Sequence, residues 1–149
     1  MRALLAAVLL LLLTPLPALA APLTPDQVTQ RGYVFSLDLI QRYATAMKAL
    51  KAAEAKDPAL KAIAEQEADS PAAGIAKLKA HPELFAFFKA QGFTERDAVL
   101  LSVAIVEASF AAGEHDLSAF PAVSPQQAAF MKAHDAQLRP ILKGVFTSE

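Results

Sequence analysis

The stretch Thr94-Glu95-Arg96-Asp97-Ala98-Val99-Leu100-Leu101-Ser102-Val103-Ala104-Ile105-Val106-Glu107-Ala108-Ser109-Phe110-Ala111-Ala112-Gly113 decides the fold. From Ala98 to Ala112 it is apolar on nearly every side of a helix, interrupted only by Ser102, Glu107 and Ser109. A helix of that kind belongs at the centre of a domain, with neighbours packed all round it. Thr94 and Asp97 have the spacing of a reciprocal cap, with the acid in the place of the usual Glu. Gly92 precedes this segment and Gly113 follows it, where left-handed terminal residues are expected. Ser102 and Ser109 lie one above the other and are small enough to let a second helix come close.

Outward from this segment, proline marks the other helices. Thr24-Pro25, Asp57-Pro58, Ser70-Pro71, His81-Pro82 and Ser124-Pro125 each place proline after a residue suited to a helix start. Proline fits the first helical turn because its missing N–H would be unpaired there in any case. A preceding Thr, Asp or Ser accepts from the freed N–H groups. Thr24 with Gln27 and Ser124 with Gln127 complete the capping-box spacing. The helices expected are about 25–55, 58–68, 71–80, 82–91, 95–112 and 125–143. In the first, Val28, Tyr33, Phe35, Leu37, Leu39, Ile40, Tyr43 and Met47 fall on one arc, and Asp38 and Arg42 form an i,i+4 pair on the other. Glu114 to Val123, with Phe120-Pro121, reads as a loop. No segment alternates with a period of two, so no sheet is expected. The predicted fold is all-α, a compact bundle of five to six helices around a central apolar helix at about 95–112.

The amino end has a different character. Arg2, the apolar run Leu4 to Leu13, the helix breakers Pro15 and Pro17, and Ala18-Leu19-Ala20 match a cleavable secretory signal peptide over residues 1–20. The run is too short to span a bilayer, which needs ~20 residues. Residues 21–149 are then expected to form a single helical domain, periplasmic or secreted, with no stable membrane anchor. The chain has 0 cysteines, so disulfides, thiolate zinc sites and a thioether-attached haem are excluded. Its 14 Lys+Arg against 15 Asp+Glu, without a basic cluster, give no footprint for nucleic acid.

Few residues invite a chemical reading. Glu107 stands inside the apolar helix, on the sector of Leu100 and Val103. A carboxylate there needs a partner, a raised pKa or a cavity. The plain reading is a structural bond to Arg42, a tyrosine or a helix end. His134 shares a face with Phe130, Leu138 and Ile141 and is expected to point inward. Its plain reading is a satisfied core histidine. The functional alternative joins Glu107 and His134 as acid and base, or as a small-molecule or metal site. Phe85, Phe87, Phe88 and Phe93 crowd one short segment. Buried, they are ordinary core; with Phe87 and Phe88 exposed, they would suit a lipid or an unfolded chain. Glu114, His115 and Asp116 read as a solvated loop, and His81 as a helix cap. Met47 and Met131 read as core filler. No nucleophile elbow, zinc-protease, phosphate-loop or dinucleotide motif occurs, so no enzymatic activity and no cofactor are expected.

Leu23-Thr24-Pro25-Asp26-Gln27 resembles the LTxxQ motif of small helical periplasmic proteins of the Spy and CpxP kind, and Val123-Ser124-Pro125-Gln126-Gln127 is a second copy that departs at its first two positions. The resemblance implies a chaperone-like or envelope-stress protein. Its partner would be another envelope protein, an unfolded client or an apolar ligand.

Overall fold

The computed structural model describes residues 21–146, and residues 1–20, read above as a signal peptide, lie outside them. The described residues form eight helices and no strand. In chain order these are α1 (Pro25–Gly32), α2 (Leu37–Glu54), α3 (Pro58–Ala64), α4 (Pro71–Ala80), α5 (Pro82–Lys89), α6 (Glu95–Ala111), α7 (Pro125–Ala133) and α8 (Asp135–Leu142). The protein is all-α, with more helices than the sequence suggested.

Cap chemistry explains where they begin. Thr24, Thr94 and Ser124 each accept from the N–H three residues on, while Gln27, Asp97 and Gln127 return a bond to the cap N–H. Asp57 and Ser70 cap α3 and α4 with their side chains. His81 is the exception: it occupies the cap position of α5 without a side-chain cap bond, and its Nδ1 meets Glu83 at 3.0 Å instead.

Two long helices are broken in ways the sequence reading did not foresee. The predicted 25–55 helix stops at Gly32, and a new one starts after Ser36, which takes an extended conformation and accepts from the Leu39 N–H at 3.1 Å. The apolar arc is therefore not continuous, and Val28, placed on it, is 58% exposed. The predicted 125–143 helix changes direction at His134, with φ −109° and ψ 14°. There the Phe130 carbonyl meets both the His134 N–H and the His134 ring. α3 also ends early, at Ala64. Gly92 takes the left-handed conformation expected of it, φ 82°, whereas Gly113 does not.

α6 is the hub, packed against α1, α4, α5 and α7. α2 packs against α3, α5 and α8. Leu100, Leu101, Ala104, Ile105, Ala108 and Ala111 of α6 are buried, with Ile40, Tyr43, Leu84, Phe88 and Val145 among the residues completing the core. The α4–α6 approach is close: a Cβ on Gly74 would come within 3.3 Å of the Val99 methyls. The central helix is not covered on every side, however. Val99, Val103 and Val106 are half-buried, and Phe110 is 68% exposed. α4 meets this stripe at Val99, but the stripe opens towards Phe110, so the all-round apolar character of α6 does not translate into all-round burial.

Polar ties fasten α1 to the bundle. Its only buried residue is Gln30. Arg96 pairs with Asp26 at 2.8 Å and reaches Thr29, Arg31 donates to the Pro121 carbonyl, and Tyr33 donates to Asp97 at 3.0 Å. Burial opposes ionisation of Asp97, but bonds from Thr94 and Tyr33, with the Arg96 charge, hold its carboxyl below the usual range. The Gln127 side chain is 2% exposed and closes the far end of α1. Its Nε2 donates to the carbonyls of Gln30 at 2.7 Å and Tyr33 at 3.0 Å.

Candidate functional site

Glu107 lies on the incompletely covered side of α6 and is half-buried. Among the described residues nothing donates to its carboxylate or pairs with it. The anticipated partners are engaged elsewhere. Arg42 is bonded to Asp38 and to the Gln91 carbonyl and lies over the Phe93 ring. Tyr33 bonds Asp97, and Tyr43 bonds the Ala98 carbonyl. Desolvation alone raises the Glu107 pKa.

That shift carries a stability consequence. A carboxyl whose folded pKa exceeds its unfolded value, ~4.3 for Glu, favours the fold when protonated, and stability falls as pH rises from the unfolded value through the folded one. Glu107→Gln removes this loss. It is expected to raise the urea midpoint at pH 7 and to leave it little changed at pH 3. A lower midpoint at pH 7 would show that the carboxylate has a favourable partner after all.

His134 is half-buried and stacks on the Phe130 ring, centroids 4.2 Å apart and 24° between planes. Its Nδ1 lies 3.0 Å from the Phe130 carbonyl, which can only accept, so that nitrogen carries a proton. No hydrogen bond or ion pair joins His134 to Glu107. No group of three or more His, Asp or Glu side chains suited to a metal occurs among the described residues.

Phe88 is buried, 5.8 Å from the Tyr43 ring. Phe85 and Phe87 are partly buried and pack on the same core cluster. The aromatic group is therefore mostly core, and Phe87 is not the centre of an open patch.

What the helices do build is an apolar groove of about 360 Å³ between α2, α4, α5 and α6, lined also by Ala64 and Ala68. Tyr43, Met47 and Leu50 line it from α2, Leu84 and Phe88 from α5, and Val99, Ser102 and Val103 from α6. Its volume falls in the usual range for small-molecule sites, roughly 300–1,000 Å³. Burial pushes the Tyr43 hydroxyl up to about 12, with a Ser102 bond acting in the opposite sense, so the phenol is neutral.

Two opposite charges share this groove, Glu54 and Lys77. Lys77 Nζ donates to the carbonyls of Ala64 at 2.7 Å and Gln66 at 2.6 Å, satisfying the open end of α3. Burial lowers the Lys77 pKa, and the Glu54 charge acts against that lowering. Sequence reasoning passed over both residues, although spacing held a signal. Tyr43, Met47, Leu50 and Glu54 follow one another at steps of four, three and four, so Glu54 closes an otherwise apolar stripe. Gly74, Lys77 and Leu78 likewise share a face of α4.

No family model matches this chain, and neither does any curated protein or solved structure.

Proposed function

We propose that this is an exported, non-enzymatic helical protein that binds an apolar ligand in the groove between α2, α4, α5 and α6. The observation that carries the reading is the groove itself: an apolar lining with a few polar groups, among them Glu54, Lys77 and Ser102. Sites for small apolar molecules have that composition. The case for export is the leader-like sequence of residues 1–20, with its apolar run and Ala18-Leu19-Ala20.

The test uses the neutral probe N-phenylnaphthylamine, which fluoresces on entering an apolar site. The protein is expected to enhance its emission saturably. Val103→Asp places a charge in the groove at a half-buried position and is expected to abolish the enhancement while the far-ultraviolet helical signal persists. Enhancement that survives in the variant would rule out the groove.

The exposed Phe110 favours a second reading, in which the open stripe of α6 holds an unfolded client, as the LTxxQ resemblance implies. That reading expects near-stoichiometric protection of an aggregating protein, lost in Phe110→Ser. Protection unchanged by the substitution would remove Phe110 from the client surface.

A further inference from the structure

Glu54 and Lys77 line one groove without pairing with each other. The Lys77 ammonium spends two of its three N–H groups on the Ala64 and Gln66 carbonyls, leaving one. The Glu54 carboxylate, half-buried at the last residue of α2, accepts no hydrogen bond and makes no ion pair with any described residue. An apolar wall with one unspent donor and one unspent carboxylate is complementary to a ligand that carries both an acceptor and a donor. A purely anionic head would meet Lys77 but lie against Glu54. A purely cationic head would meet Glu54 but lie against Lys77. Each single-charge ligand is thus penalised by the group it cannot satisfy, which is how unpaired charges create specificity.

The apolar part of the ligand also has a path. From Val103 in the groove the same stripe of α6 continues through the half-buried Val106 to the exposed Phe110. From Val103 to Phe110 it extends about 10 Å at the helical rise.

We propose that the groove takes a single-chain amphiphile with a dipolar head group, whose anionic oxygen meets Lys77 and whose ammonium meets Glu54. The proposal rests on the groove being a ligand site and adds the chemistry of what enters it.

The experiment is displacement of bound N-phenylnaphthylamine by three amphiphiles of one chain length, each below its micelle-forming concentration. They are lauroyl lysophosphatidylethanolamine, laurate and dodecylamine. The zwitterion is expected to displace the probe at a concentration about tenfold lower than either single-charge ligand, the factor that one charge-assisted hydrogen bond carries. In Glu54→Gln the advantage over laurate is expected to vanish, and dodecylamine to bind more weakly than in the parent protein. Laurate or dodecylamine binding as tightly as the zwitterion, or a ranking unmoved by Glu54→Gln, overturns the head-group proposal and leaves the groove standing. Failure of the probe to bind the parent protein, or undiminished binding in Val103→Asp, overturns both.

Discussion

Replacing Gln127 by alanine is expected to cost about 2 kcal/mol of stability, from two backbone groups losing partners at ~1 kcal/mol each. The side chain does three things at once. Its Nε2 donates to the Gln30 and Tyr33 carbonyls, and its Oε1 accepts from the Ser124 N–H at 2.8 Å. The Gln30 carbonyl retains the Tyr33 N–H at 3.3 Å, so it is not left bare. The Tyr33 carbonyl and Ser124 N–H, both part-buried, lose a close partner. Gln127→Glu is expected to be worse at neutral pH, because it turns carboxylate oxygen toward carbonyl oxygen. Urea unfolding followed by circular dichroism measures both variants, and a midpoint within error of the parent would refute the clamp. Amide exchange should also quicken first in α1, which owes little to apolar burial.

Ile105→Ala is expected to be as damaging by a different physical route. Ile105 is 0% exposed in the middle of α6, the helix against which α1, α4, α5 and α7 pack. Truncation loses the transfer energy of the removed methyl and methylene groups and leaves a void that four neighbours cannot all close, at a cost of about 2–5 kcal/mol. The urea midpoint should fall with little change in slope, since the surface exposed on unfolding is nearly the same. A loss below about 1 kcal/mol would mean that the bundle collapses readily around α6, contrary to the fixed α4–α6 approach at Gly74.

The helix starts were legible because cap chemistry is local. Thr24, Asp57, Ser70, Thr94 and Ser124 act on N–H groups two or three residues away, and the sequence prints both partners side by side. Ser36 works the same way but lacks a following proline, and the apolar residues on either side of it concealed the break. Burial on α6 was only half legible. Periodicity reports which positions are apolar and is silent on whether another helix arrives to cover them, so Val106, Glu107 and Phe110 were assigned a depth they do not have. The groove was least legible of all. Lys77 acquires its role only because α3 stops at Ala64, and Glu54 only because α4 and α6 leave space beside the end of α2. Those are facts of assembly between distant segments.

The polar and apolar ties of the two ends of the described chain also set an order of events. α1 is closed by Gln127 and Pro121, and α2 is covered by α8, with Lys51 donating to the Gly144 carbonyl at 2.7 Å. Each of these ties joins residues 90 or more positions apart. Without α7 and α8, α1 still packs on α6 and α2 on α3 and α5, but α1 lacks its Gln127 clamp and α2 its cover by α8. Local helices can form early, but the loop entropy of these long-range closures is repaid only when α7 and α8 arrive. The bundle therefore has its full set of closures only with α7 and α8 in place.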